Sequence, residues 1–247
     1  MPSPQISVVI LCYKAGNFAR TFYKQVVEIL NKENLNYEIV LVGNYIEGKG
    51  DITPEVVKEI ADTNPRTLYT AVEKKDLQTQ GMGWDLRTGL NLATGKTIAF
   101  IDGDGQMPPE DIPKLYRKLV NDNLDLCKAK RITRGDGPYR KFISGIFNNL
   151  MKILFPGILA TDINAKPKLF TREAYEKLHL ESNTWFIDGE IMIKARRHSF
   201  RTGEVETIFL ENSERRSFIS LKANVEFVKN IFYWRLKEFG FFPSKNL

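Results

Sequence analysis

The stretch Phe100–Asp111, FIDGDGQMPPED, places two aspartates one residue apart directly after an apolar run. Asp and Gly favour turns and Pro often opens a helix, so one interpretation is a plain strand-to-helix turn. The other is a divalent cation site, because Mg²⁺ is commonly bound by one or two carboxylates together with the phosphates of a substrate. The spacing of Asp102 and Asp104 alone leaves both interpretations open.

Apolar strands and amphipathic helices alternate on both sides of this stretch. The predicted strands are ISVVILCY (6–13), YEIVLVG (37–43), TLYTAV (67–72), KTIAFI (96–101) and LDLCKAKR (124–131). The predicted helices lie at 17–34, 53–65, 83–95 and 108–123. Such alternation is typical of an α/β fold with a doubly wound, mainly parallel sheet. Ligands bind beyond the carboxyl ends of the strands in these sheets, and this favours the ligand-site interpretation for Asp102 and Asp104.

The composition excludes several classes of site. The only two histidines, His179 and His198, lie in charged or polar surroundings, which makes a histidine triad or a His-rich metal site improbable. Cys12 and Cys127 each lie in an apolar stretch and are expected to be reduced core residues. No apolar run reaches the roughly 18–20 residues of a membrane span. The net charge of +6 favours anionic partners such as nucleotides, phosphates, nucleic acid or an anionic membrane surface, although a charge of this size also keeps a protein soluble.

The chain of 247 residues has no internal repeat or evident linker. We predict one main domain over residues 1–222 and a C-terminal amphipathic helix and tail over 223–247. The apolar segment 142–160 is interpreted either as a core helix and loop or as an amphipathic segment at a membrane interface. The aromatic and basic segment 225–242 is likewise interpreted either as a helix that packs on the domain or as one that lies on a lipid surface.

The order of the motifs resembles that of a known family. VVILCY opens the chain, GMGWDLRTGLNLATG precedes AFIDGDGQMPPEDI, and DINAKPKLFTREAY and WFIDGEIMIKARRHSFRTGEVE follow. This order, from Ile6 to Lys222, resembles the family 2 glycosyltransferases of the GT-A fold. Within that family it is similar to the dolichyl- or polyprenyl-phosphate sugar synthases, which include the dolichol-phosphate mannose synthases.

The resemblance implies a metal site in the DGDGQ stretch. By its match to the family motif D-x-D-x-Q, Asp102, Asp104 and Gln106 are expected to bind Mg²⁺ or Mn²⁺ and the diphosphate of a nucleotide sugar, with Asp104 counted among the catalytic residues. The chemistry agrees, because a bound cation stabilises the departing nucleoside diphosphate as a Lewis acid.

The resemblance also implies further donor-binding residues. Gly83 and Arg87 match the family stretch before the metal motif, and the remaining expected donor contacts are Asn44, Arg215, Ser220 and Lys222. The sequence departs from the family at LCYKAG, where the family usually has Pro and Asn. It departs again at LVGNYIEG, where the family usually has an acid that reads the nucleotide base. Asn44 or Glu47 can still hydrogen-bond a base, but neither the base nor the sugar is defined by the sequence.

The acceptor side of the resemblance rests on basic residues. Arg131, Arg140 and Ser144 match the family positions around a lipid phosphate, and arginine suits this task because its planar fork binds phosphate oxygens bidentately. A solvated basic strand end is the alternative. Three acids, Asp162, Asp188 and Glu190, match positions that face the sugar or the acceptor and are expected to be catalytic. Asp188 and Glu190 are equally compatible with acids favoured at a helix N-terminus.

The resemblance therefore implies an inverting glycosyltransferase that moves a sugar from a UDP- or GDP-sugar to a polyprenyl phosphate, dolichyl or undecaprenyl, at the cytoplasmic membrane face. Peripheral membrane contact is expected through the segments 142–160 and 225–242 or through a membrane partner subunit. One alternative is a family 2 enzyme that glycosylates a glycan hydroxyl, with Asp188 or Glu190 as the base. Another is a non-catalytic nucleotide- or nucleic-acid-binding module. No nucleic-acid partner is expected, because the sequence lacks the motifs of such modules.

Overall fold

The computed structural model describes residues 3–134, 138–210 and 221–241, with side chains for all of these except Arg134, 138–140 and 221–225. The strands are β1 (Ile6–Leu11), β2 (Tyr37–Val42), β3 (Thr67–Thr70), β4 (Thr97–Asp102), β5 (Leu126–Arg134), β6 (Lys168–Thr171) and β7 (Thr202–Phe209). The helices are α1 (Phe18–Lys32), α2 (Thr53–Asp62), α3 (Met82–Leu90), α4 (Asp111–Asn121), α5 (Pro138–Leu154), α6 (Arg172–Leu178), α7 (Ile187–Arg197) and α8 (Leu221–Glu238).

The strands form one sheet in the order β3-β2-β1-β4-β6-β5-β7. Strands β1 to β4 are parallel, and β7 is parallel to β5. Strand β6 is antiparallel to both of its neighbours, β4 and β5. The predicted α/β architecture with a mainly parallel sheet is confirmed, and the five strands expected from the sequence are present.

Both faces of the sheet are covered, as the continuous apolar runs of the strands predict. Val9 and Phe100 belong to a core cluster on one face, whereas Val8 and Ile101 belong to a cluster on the other. Cys12 and Cys127 are buried thiols, and burial raises the pKa of Cys127 to about 12. They are therefore reduced core residues, as expected.

Helix α8 packs against the core. Ile231 and Trp234 are buried in the same cluster as Phe100, and the ring of Phe227 lies 5.2 Å from that of Phe147 on α5. The predicted domain boundary at residue 222 falls at the start of this helix, next to residues 211–220, which are outside the described part of the chain. None of the helices in the described residues has the length and hydropathy needed to cross a membrane.

The strand register determines which chain segments meet at the carboxyl edge of the sheet. Leu11 pairs with Asp102, so β1 and β4 end side by side. Phe100 pairs with Lys168 in the antiparallel β4–β6 ladder, so the residues just before β6 lie beside the carboxyl end of β4. Lys166, two residues before Lys168, is thereby brought next to Asp102, two residues after Phe100.

Candidate active site

The DGDGQ loop leaves the end of β4 in a tight turn. The backbone N–H of Gly103 donates to the carbonyl of Leu11 at 2.9 Å, which ties the loop to the end of β1. Gly105 has a positive φ of +73°, and a Cβ there would lie 2.8 Å from the ring of Phe18. Only glycine meets both conditions without strain. The carboxylate of Asp102 is 31% exposed at this edge.

The rest of the loop is held by its own backbone and by the end of β7. Asp104 Oδ1 accepts a hydrogen bond from the backbone N–H of Gln106 at 3.0 Å. The backbone N–H of Leu210 donates to the carbonyl of Gln106 at 2.8 Å, and Gln106 Nε2 donates to the carbonyl of Leu210 at 3.4 Å. The predicted metal motif therefore contacts Leu210, which precedes the segment 211–220. This segment contains the predicted donor residues Arg215 and Ser220 and is not described.

A buried lysine links the predicted metal motif to helix α7. Lys166 Nζ lies 3.2 Å from Asp102 Oδ2 and 3.1 Å from Asp188 Oδ2. Asp188 Oδ1 contacts the ammonium of Lys168, which also donates to the carbonyl of Ala165 at 2.9 Å. The predicted residues Asp102 and Asp188 are thus brought together through Lys166, a residue that the motif analysis did not assign to the site.

The charges of this cluster stabilise one another. Burial alone would lower the pKa of Lys166, but the adjacent carboxylates of Asp102 and Asp188 outweigh it and raise that pKa. Burial alone would raise the pKa of Asp188, but Lys166 and Lys168 outweigh it and lower that pKa. Asp188 is therefore held as a carboxylate between the amino groups of Lys166 and Lys168, although burial lowers the pKa of Lys168 to about 7 despite the charge of Asp188. This arrangement does not favour Asp188 as a proton acceptor.

Glu190 follows Asp188 on α7 but faces the segment before the helix, around Glu181 and Ser182. Its two carboxylate oxygens accept from the backbone N–H groups of Glu181 and Ser182, each at 2.8 Å, and Oε1 is 2.7 Å from Lys194 Nζ. The side chain is completely buried. In this geometry Glu190 anchors the segment that leads into α7, and a catalytic role for it stays a prediction.

The predicted acceptor residue Arg131 is paired with the predicted sugar-facing residue Asp162. Arg131 Nε and Nη2 each donate to one carboxylate oxygen of Asp162 at 2.7 Å. Burial alone would raise the pKa of Asp162, but the hydrogen bonds and charge of Arg131 outweigh it and hold that pKa at about 2. Ser144 is half-buried on α5, whereas the side chain of Arg140 is outside the described residues.

Asn44 follows β2 at the same edge of the sheet, and its side-chain amide is fully engaged. Asn44 Nδ2 donates to Asp85 Oδ1 at 3.0 Å and to Thr88 Oγ1 at 2.9 Å. Its Oδ1 accepts from the backbone N–H of Val72 at 2.9 Å and from Thr70 Oγ1 at 3.1 Å. Asn44 therefore ties together the ends of β2, β3 and α3, and base recognition by it stays a prediction.

A second buried ion pair lies beside Asn44. Lys74 Nζ is 2.7 Å from Asp85 Oδ2 and 4.3 Å from the ring centre of Tyr13, which follows β1. Burial raises the pKa of Asp85 despite the opposing charge of Lys74. Sequence reasoning missed this pair, because a lysine and an aspartate eleven positions apart have no local pattern that marks them as partners.

Gly83 and Arg87, which the family resemblance assigns to donor binding, both contact the segment before α7. The backbone N–H of Gly83 donates to the carbonyl of Thr184 at 3.1 Å, and a Cβ at Gly83 would lie 2.5 Å from the carbonyl of Ser182. Arg87 Nη1 donates to Asn183 Oδ1 at 2.7 Å. These contacts position the chain that carries Asp188, and direct donor binding stays a prediction. The backbone of Lys222 lies in α8, but its side chain is not described.

The loop fits a hard divalent cation through its donor chemistry. Asp102, Asp104 and Gln106 supply carboxylate and amide oxygens and are all partly exposed at one edge of the sheet. Within the ranges 3–134, 138–210 and 221–241 there is no group of three or more His, Cys, Asp or Glu residues arranged to hold a metal ion. A cation at this loop would therefore need ligands from water or a bound substrate, which is the usual coordination of Mg²⁺ by protein carboxylates and phosphates.

The chain matches a family model described as glycosyl transferase family 2 over residues 7–179. Its relatives include the UDP-N-acetylglucosamine–dolichyl-phosphate N-acetylglucosaminyltransferase of Methanococcus voltae, 26% identical over 82% of this chain and 86% of that protein. Glycosyltransferase AglD of Haloferax volcanii is 24% identical over 81% of this chain, but this chain spans only 32% of that protein. Glycosyltransferase GlyA of Streptococcus pneumoniae is 26% identical over 75% of this chain, which spans 27% of that protein.

Two solved glycosyltransferase structures share the fold. Glucosyl-3-phosphoglycerate synthase of Mycobacterium tuberculosis, in complex with Mn²⁺, UDP and glucosyl-3-phosphoglycerate, has a TM-score of 0.67 at 17% identity, over 99% of this chain and 82% of that one. Mannosyl-3-phosphoglycerate synthase of Rubrobacter xylanophilus has a TM-score of 0.67 at 16% identity, over 98% and 77% of the two chains. The likeness confirms the predicted GT-A fold.

Proposed function

Because this chain belongs to glycosyl transferase family 2, we propose that it is an inverting glycosyltransferase that moves a sugar from a UDP- or GDP-sugar to a polyprenyl phosphate. The DGDGQ loop lies at the carboxyl edge of the sheet, where ligands of such sheets bind, and this supports donor binding at the loop. The Methanococcus voltae relative, by its name, uses dolichyl phosphate as the acceptor and aligns over most of both chains.

Whether Asp188 or Glu190 on α7 can accept a proton decides between a phosphate and a hydroxyl acceptor. A hydroxyl acceptor needs a residue that takes its proton, and the acids predicted for this task are Asp188 and Glu190. Asp188 is clamped between two lysines, and Glu190 is buried against two backbone N–H groups. A phosphate monoester already carries about −1.5 to −2 charge at pH 7 and attacks without a base. The geometry therefore favours a phosphate acceptor over a glycan hydroxyl.

The donor diphosphate would lie at the DGDGQ loop, with Asp102, Asp104 and Gln106 holding Mg²⁺ or Mn²⁺. When bound, the cation supplies Lewis-acid stabilisation of the departing nucleoside diphosphate. Gly105, with its positive φ of +73°, lets the backbone of the loop turn directly after Asp104. Arg131, Arg140 and Ser144 are the proposed acceptor-phosphate residues, and Arg131 would exchange part of its pairing with Asp162 for the phosphate.

Transfer of label from a panel of UDP- and GDP-sugars into organic-extractable product tests this proposal. We expect extractable product only when a polyprenyl phosphate and Mg²⁺ or Mn²⁺ are both present. Asp104→Asn should abolish transfer, whereas Asp62→Asn, an exposed carboxylate on α2, should not. Transfer that is confined to water-soluble acceptors and insensitive to Arg140→Ala would replace this function with the glycan-hydroxyl alternative.

We further propose that the enzyme contacts the cytoplasmic membrane face through an apolar surface on α5 and α8. Phe142 and Ile153 on α5 are 66% and 74% exposed, and Phe239 beyond α8 is 62% exposed. Lys141 and Lys152 are exposed on α5 as well, so an anionic bilayer offers both an apolar and an electrostatic partner. A lipid-linked acceptor requires this approach, because its phosphate lies at the bilayer surface.

Flotation with liposomes tests the membrane contact. We expect the protein to float with vesicles that contain anionic lipid and to be released when Phe142 and Ile153 are both changed to glutamate. Failure to float with any vesicle composition would contradict direct binding and would leave a membrane partner subunit as the route to the acceptor.

A further inference from the structure

The ammonium of Lys166 occupies an unusual place for a buried lysine. Its side chain is 7% exposed and lies between one carboxylate of the proposed metal motif, Asp102, and the α7 carboxylate Asp188. Removing an ammonium group from water costs free energy unless the group is paired with an opposite charge. The contacts with Asp102 and Asp188 together offset this cost for Lys166. Lys168 makes the other contact with Asp188.

This placement puts a fixed positive charge on the carboxylate that would bind the metal. Lys166 Nζ is 3.2 Å from Asp102 Oδ2. A divalent cation bound to the same carboxylate would therefore lie close to the ammonium, and the two positive charges would repel each other strongly. A nucleotide diphosphate carries negative charge that offsets the combined charge of the ammonium and the cation. The cation and the ammonium therefore repel each other less when the diphosphate is bound beside them than when it is absent.

We propose that Lys166 is a positioning residue that serves as a built-in counter-ion of Asp102. Before substrate binds, it holds Asp102 and Asp188 in place and opposes binding of the divalent cation. When the nucleotide diphosphate arrives, the cation binds with it, so that metal and donor enter the site as a coupled pair. This inference rests on the proposed function in one respect, namely that Asp102 is a ligand of the cation.

The test measures Mn²⁺ binding to the full chain by electron paramagnetic resonance of free Mn²⁺, without nucleotide and with UDP, and it is repeated with GDP if UDP brings no gain in affinity. In the wild-type protein we expect weak Mn²⁺ binding alone and an affinity gain of at least tenfold when UDP is present. Lys166→Met should raise the affinity for Mn²⁺ alone at least tenfold and reduce the gain that UDP brings. A merely structural lysine would not produce a gain in metal affinity when it is removed.

Lys168→Met is the matched control. It removes the other amino group from Asp188, and the close contact described for Lys168 is with Asp188 rather than with Asp102. We expect its affinity for Mn²⁺ alone to stay within threefold of wild type. Lys166→Arg, which keeps the charge, should retain the weak binding of Mn²⁺ alone. Thermal unfolding of each variant verifies that the compared proteins are folded.

The outcomes separate this inference from the proposed function. If Mn²⁺ binds wild-type protein with UDP but Lys166→Met does not bind Mn²⁺ alone more tightly, the counter-ion role is overturned and the metal site stands. If wild-type protein binds Mn²⁺ equally tightly without nucleotide, with UDP and with GDP, the counter-ion role is overturned even when Lys166→Met fails to fold. If Mn²⁺ binds neither with UDP nor with GDP, both the metal site and the role of Lys166 are overturned.

Discussion

Replacing Asp162 with asparagine removes the charge that pairs with the buried guanidinium of Arg131. Two hydrogen bonds of 2.7 Å join the two side chains, and both side chains are nearly buried. Breaking a buried ion pair by removing one partner typically costs about 3–5 kcal/mol, because the remaining charge is left uncompensated. We therefore expect Asp162→Asn to lower the free energy of unfolding by an amount in this range at pH 7.

The pH dependence of this loss identifies its cause. The pKa of Asp162 is about 2 in the folded protein against 3.8 for an ordinary aspartate. The difference corresponds to stabilisation on the order of 2 kcal/mol. Because the folded-state pKa is the lower one, this stabilisation is complete well above pH 3.8 and is lost as the pH falls toward 2. By linkage, about half of it is lost at pH 3.

Urea unfolding of wild-type and Asp162→Asn protein between pH 7 and pH 3 measures the effect. The difference between their free energies of unfolding should be constant from pH 7 to about pH 5 and should narrow by about 1 kcal/mol at pH 3. Asp62→Asn serves as the exposed control and should show little difference at either pH. A difference for Asp162→Asn that is the same at pH 3 and pH 7 would refute the assignment of this stabilisation to the ionised pair.

Three further predictions follow from the loop and the apolar surface. Asp104→Asn should reduce metal-dependent sugar transfer by at least a hundredfold in a labelled-product assay while the unfolding temperature stays near that of wild type; full activity would disprove the metal assignment. Gly105→Ala should destabilise the protein by about 1–3 kcal/mol in urea unfolding, because its φ of +73° disfavours a Cβ and the ring of Phe18 would clash with one; a neutral result would show that the loop relaxes. Ile153→Glu alone should weaken binding to anionic liposomes without a change in transfer to a short, soluble phosphate acceptor, and equal loss in both assays would indicate misfolding instead.

The features that could be predicted from the sequence are local ones. Runs such as ISVVILCY and TIAFI contain enough consecutive apolar residues to be strands buried on both faces, and the helices between them show apolar residues at helical spacing. A strand followed at once by DGDGQ must place that stretch at the carboxyl edge of a parallel sheet. The position of Asp102 and Asp104 at this edge was therefore predictable without knowledge of the tertiary structure.

The partners of the charged residues were decided by tertiary structure alone. Strand β6 has only four residues and carries a lysine at its start, so its pattern does not mark it as an antiparallel strand between β4 and β5. Its direction is what brings Lys166 to Asp102, 64 positions earlier in the sequence, and the fold of α7 adds Asp188 to the same cluster. Hydrophobic periodicity reports whether each residue is buried, but an ion pair between distant residues depends on which segments the completed sheet places side by side, and no local pattern encodes that.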